Sequence, residues 1–109
     1  MTTTIAALIE AKFAENAETV QYTSTNCKTA IDKLTATNIT GSNATLTVHM
    51  VPAGGAAATS NAIVKTITPG QTWPFPEVVG HSLEAGDFIS MIAGTASAIW
   101  IRSSGRKFT

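Results

Sequence analysis

The residues able to do chemistry are few: one cysteine, two histidines and seven carboxylates. His81, Glu84 and Asp87 lie three apart, a spacing that a helical turn would bring onto one face for a divalent cation. No second histidine is near them in sequence, and Asp87 reads as a turn residue that opens a strand. Cys27, between Asn26 and Lys28, has no nucleophile signature around it. A lone cysteine in a β-type chain ordinarily serves as a small buried residue. His49 occupies an odd position of a strand whose even positions are apolar, which places it outward, on the surface or at an interface. The chain holds no G-x-S-x-G, no phosphate-binding loop and no H-E-x-x-H. These residue types predict no enzyme, no metal and no cofactor.

What remains is adhesion. Residues 71–76 carry Trp73 just before Pro74 and Phe75 between Pro74 and Pro76, and two prolines remove the donors that a central strand needs. The segment is therefore expected at an edge, where Trp73, Phe75 and the following Val78 either cover the core or meet a partner. Trp73 and Phe75 are the expected docking anchors. His49 on its strand face and Arg106 in the tail are the further candidate contacts. Arg102, Arg106 and Lys107 form the one local positive excess, which suits a neighbouring subunit better than DNA.

The elements that must position these residues are β. The chain has 109 residues, enough for one domain and one core. Charged residues are 13%, about half the usual share, and formal charge balances at zero. Eighteen Thr and seventeen Ala take the place of the missing charges. Disorder is excluded by this hydrophobicity, and nucleic-acid binding by the lack of surplus cations. No apolar run is long enough to span a bilayer, and the N-terminus lacks the basic start of a secretory signal. A weakly charged Thr/Ala surface is poorly protected against self-association, which predicts a homo-oligomer, with a trimer first.

Residues 44–51 alternate apolar and polar with period 2 and read as a strand with one buried face. Residues 19–25, 30–37, 62–68, 87–93 and 98–103 read as further strands, and residues 105–109 could add one more. Asn and Gly in residues 38–43 predict a hairpin between the second and third strands, and residues 94–97 a second hairpin. Residues 52–61, rich in Ala and Gly, read as a mobile exposed loop. Residues 1–18 are ambiguous: Ile5, Leu8, Ile9 and Phe13 have helical spacing, so either a short helix or an extended arm fits. The expected fold is an all-β, compact antiparallel β-sandwich or jelly roll over residues 19–109, preceded by that arm or helix over residues 1–18.

Several stretches together resemble a group of small accessory proteins encoded by tailed bacteriophages and prophages. They are residues 11–14 (AKFA), 21–23 (QYT), 31–38 (IDKLTATN), 51–55 (VPAGG), 76–90 (PEVVGHSLEAGDFIS) and 101–106 (IRSSGR). The likeness covers most of the chain from about Ala11 onward, and its motifs are turn glycines and strand cores with no catalytic residue among them. The resemblance implies a compact β-sandwich and a virion structural role, in a protein made in the host bacterial cytoplasm. A capsid decoration (cement) protein, or a neck or tail component docked on other virion proteins, is the expectation. A glycan- or receptor-binding β-module of a fibre or baseplate is the alternative.

Overall fold

A computed structural model describes residues 2–109. Nine strands follow in order: β1 (Thr3–Phe13), β2 (Thr19–Thr23), β3 (Lys28–Asn38), β4 (Ala44–Val51), β5 (Ala62–Ile67), β6 (Thr72–Trp73), β7 (Ser82–Leu83), β8 (Phe88–Ala93) and β9 (Ile99–Phe108). The first sheet has the order β1-β9-β3-β6, with β7 also on β3, and the second has the order β2-β8-β4-β5. Every pairing is antiparallel. Along the chain the early strands alternate between sheets, so the ribbon wraps around one core. This is the double-sheet arrangement of a jelly roll, within the expected β-sandwich class.

The core lies between the sheets. Ile31, Leu34 and Ala36 of β3 and Ile99 and Ile101 of β9 face Leu46 and Val48 of β4 and Ile89 and Met91 of β8. Period-2 alternation, interrupted in β3 by the register shift at Ile31/Lys33, places each set on the inner face of its strand, where each fully buried Ile, Leu, Val or Met contributes roughly 1.5–3 kcal/mol.

Three local expectations need correction. Residues 3–13 form neither a helix nor a detached arm: they are β1, paired with β9 from Thr3 opposite Phe108 to Phe13 opposite Trp100. Two register shifts, at Ala7/Ile9 and Ile9/Lys12, break the alternation and turn the consecutive Leu8 and Ile9 both inward. Bulges alone therefore create the spacing that mimics a helix.

The two expected hairpins are arches. β3 and β4 belong to opposite sheets, as do β8 and β9. A hairpin and an arch demand the same inward-facing pattern on both strands, so alternation cannot separate them. The residue that makes the first arch is Asn38, fully buried at the end of β3. Its Nδ2 donates to the carbonyls of Ser42 and Ile67, and its Oδ1 accepts from the backbone N–H and the hydroxyl of Thr40. A buried amide satisfied on both sides locks the crossover between layers. At the second arch Ser97 has φ 54°, and Gly94 donates its N–H to the Thr45 carbonyl of β4, the neighbouring strand in the same sheet.

Residues 52–58 run as an exposed loop, closed by one 3-10 turn at Thr59–Asn61 in which the Asn61 side chain accepts from Ala58 N–H and donates to the Ala56 carbonyl. The tail is no separate strand, since β9 runs on unbroken to Phe108. Among the described residues no helix is long and apolar enough to cross a membrane.

Candidate docking surface

The five side chains expected at an interface fall in three separate places. Phe75 and Val78 are completely buried between the sheets. The Pro-interrupted segment leaves the sheet after β6 as expected. It then turns inward, with Phe75 at φ 44° and Val78 N–H donating to the Phe75 carbonyl. These two residues are core, and neither is presented to a partner. Trp73 is half-buried at the margin of the core, with Lys65 Nζ of the opposite sheet 3.9 Å from its ring centroid. That cation–π contact closes the open side of the sandwich. Trp73 Nε1 is buried without a hydrogen-bond partner, so the indole is held there by its ring.

His49 also departs from expectation. It points to the outer side of the second sheet, yet only 7% of it is exposed, because the β1–β2 connection folds over it. Glu18 Oε2 lies 3.2 Å from His49 Nδ1, and the Ser90 hydroxyl donates to the same oxygen. Serine, carboxylate and imidazole are thus adjacent, but the carboxylate sits between the other two. The serine proton has no path to the imidazole, which is the relation a hydroxyl nucleophile needs. The trio clasps the β1–β2 connection onto β4 and β8.

Arg106 is exposed but engaged: its Nε and Nη2 reach both carboxylate oxygens of Asp32 at 3.0–3.2 Å, within the same chain. Asp87 is a turn residue, since Oδ1 accepts from Ala53 N–H and Oδ2 from Glu84 N–H. Among the described residues no group of three or more acidic, His or Cys residues could hold a metal ion, so His81, Glu84 and Asp87 are not brought together as a ligand set. Cys27 is buried beside the hydroxyls of Ser24 and Thr29, at 3.6 and 3.7 Å from Sγ. Hydrogen bonding from Ser24, more than any other contact, holds its thiol below the ordinary range.

What the fold does present is elsewhere. Ile5, in the straight half of β1, is 83% exposed. Phe13 and Trp100 stack on the outer face of the first sheet with centroids 4.2 Å apart, and Trp100 remains 41% exposed. Their register partnership across β1 and β9 makes the pair. In the sequence, Phe13 carried the helical reading and Trp100 sat in apolar company, so neither advertised an outer aromatic pair. β1 is hydrogen-bonded on one side only, which leaves an eleven-residue strand edge open. At the other side of that sheet β6 and β7 have two residues each, and prolines follow β6. The open edge and the aromatic pair together form the surface best built for a protein partner.

A polar brace supports this surface. Glu15, just beyond β1, accepts from Lys12 Nζ at 2.8 Å and from Gln21 Nε2 at 2.9 Å. The Lys12 hydrogen bond is the chief reason its carboxyl titrates below the usual carboxylate value. A carboxyl depressed on folding stabilises above its unfolded pKa and loses that contribution as pH falls through its folded pKa. Glu15→Gln is therefore expected to lower the thermal midpoint at neutral pH, modestly because the pair is partly exposed. The difference from the parent protein should shrink to nothing in acid. A difference constant across pH would show that Glu15 acts by packing.

No protein-family model matches the chain, and no curated protein matches it. A solved structure described as "Bacillus endospore appendages form a novel family of disulfide-linked pili" is similar over 99% of this chain and 88% of that one, at 13% sequence identity and TM-score 0.57. The chain thus shares its two-sheet fold with a pilus protein.

Proposed function

We propose that the protein is a non-enzymatic structural subunit of a bacteriophage virion, a capsid decoration protein or a neck or tail component. It docks on copies of itself and on neighbouring virion subunits. The observation that carries this reading is the open edge of β1 beside exposed Ile5 and the Phe13–Trp100 stack. An unpaired edge offers a row of backbone donors and acceptors to another strand, and an aromatic pair supplies apolar anchorage. The similar structure from a pilus supports assembly as a use of this fold. The sequence's single cysteine, Cys27, is buried and permits at most one disulfide per subunit, so non-covalent contacts are assigned the assembly here.

Contact geometry bears on the number of copies. Two β1 edges pairing with each other make a two-fold dimer, whereas β1 against a different edge of the next copy gives a head-to-tail contact, which makes a ring where the rotation closes and a filament where it does not. A trimeric ring is the first expectation. The test uses Ile5→Lys, at an exposed position where stability should change by about 0.5 kcal/mol or less, and Trp100→Lys, which also gives up the stack on Phe13 and about 0.5–1.5 kcal/mol with it. Light scattering should show a concentration-dependent oligomer that each variant weakens. Incorporation into particles lacking the protein, followed by sedimentation, should fall at least tenfold. A monomer at high concentration that also sits singly on particles would overturn self-assembly.

A further inference from the structure

We infer that the outer face of the first sheet carries a binding site for a carboxylated sugar, in a cleft of about 360 Å³ between β1, β9 and β3. The cleft is a product of irregularity. β1 slips register at Ala7/Ile9 and Ile9/Lys12, opposite Ser103 and Ser104 of β9. On the other side of β9, β3 slips at Ile31/Lys33, opposite the same Ser104. Bulges on both neighbours of one strand segment open a hollow that a regular sheet would not have, and bulges commonly re-aim side chains at functional positions.

Three charged side chains line it: Glu10, Lys33 and Arg102. The ion pairs among the described residues are Lys12–Glu15, Lys28–Glu84, His49–Glu18 and Arg106–Asp32. None of the three charges in the cleft is in that set, although both signs are present in one small space. The hydroxyl-bearing Thr35, Ser103 and Ser104 complete the polar lining, the Ser103 hydroxyl donating to the Lys33 carbonyl, and Ala7 and Ala11 leave a low wall. An arginine fork binds a carboxylate through paired hydrogen bonds, and a nearby lysine adds a point charge. Glu10 disfavours a dianion and accepts from hydroxyl donors. A ligand with a carboxylate at one end and hydroxyls at the other satisfies both halves. The volume lies at the small end of the range for small-molecule sites, which suits a uronic-acid-type unit better than a bare carboxylate side chain. The cleft is open to solvent on the sheet face, so such a unit can belong to a longer polymer. This inference stands apart from the assembly reading: the charges of the cleft, Glu10, Lys33 and Arg102, are not the docking anchors Ile5, Phe13 and Trp100, and only the β1 wall of the cleft shares a strand with the open edge.

The probes are glucuronic acid, glucose, acetate and glycine, each titrated into the isotope-labelled protein and followed by backbone amide shifts. Glucuronic acid should shift the amides around Glu10, Lys33 and Arg102 saturably, and glucose should not. Arg102→Gln and Lys33→Gln should each weaken glucuronate binding at least tenfold at unchanged thermal midpoint. Glu10→Gln removes a negative charge from the cleft and a charged acceptor for hydroxyls, so it should lower the preference for glucuronate over acetate. Acetate binding as tightly as glucuronate would reduce the site to a simple anion site. Glycine binding more tightly would assign it to a zwitterion. Either result, or no saturable shift in the cleft, overturns the proposal.

Discussion

Gly105→Ala is expected to destabilise the protein by about 3 kcal/mol or more, although it adds one methyl group. At an ordinary strand position the same change gains roughly 0.5–1 kcal/mol, because glycine is the residue with most freedom to lose. Gly105 is buried in β9, opposite Ala6 of β1 and Ile31 of β3. A methyl there would lie 2.1 Å from the Ala30 carbonyl oxygen, 3.0 Å from Leu8 Cδ1 and 3.2 Å from the Ala30 carbonyl carbon. Leu8 has rotamers with which to yield, but a backbone carbonyl has none. Relief requires moving β3 away from β9. The adjoining Ile31 resists, since its N–H donates to the His81 carbonyl and its own carbonyl accepts from Gly80 N–H. Denaturant titration measures the loss as a lower midpoint at unchanged slope. A loss below about 1 kcal/mol would show that β3 shifts cheaply at its bulge.

The fold class was readable because strands with one buried face obey period 2, and β4 does so from Ala44 to Val48. The order of the strands was not. Alternation says which face is buried and nothing about which sheet a strand joins, so two arches read as hairpins until Asn38 is seen tying β3 to the Ile67 carbonyl. β1 was hidden by its own bulges, which replaced period 2 with an apparent helical repeat. The candidate surface failed for a related reason. Burial of His49 depends on Glu18, which lies in another element and reaches it only in the folded chain. The Phe13–Trp100 stack joins residues near opposite ends of the sequence. Residue type singled out Trp73 and Phe75, whereas only topology brings Ile5, Phe13 and Trp100 to an outer surface.

Phe75→Ala is expected to cost about 3–5 kcal/mol, the range for removing a fully buried aromatic ring. It shares the core with the completely buried Val78, from the connection after β6, and with Ile67 of β5 and Leu46 of β4 in the second sheet, so removing the ring opens a cavity inside that core. Backbone geometry adds a second signature. Phe75 holds φ 44°, a left-handed conformation that costs a side-chain-bearing residue roughly 1–2 kcal/mol and a glycine almost nothing. Alanine keeps that strain and glycine relieves it. Phe75→Gly should therefore be no less stable than Phe75→Ala, the reverse of the order at a relaxed strand position. Phe75→Leu, which fills most of the space, should lose about half as much. The same series separates core from interface. A docking anchor would lose particle incorporation at unchanged stability, whereas these variants should lose incorporation only as their folded fraction falls. If Phe75→Leu folds normally and still fails to bind particles, the residue meets a partner and the closed arrangement of residues 74–78 opens on assembly. If Phe75→Gly proves markedly less stable than Phe75→Ala, the left-handed backbone at this position is not a source of strain.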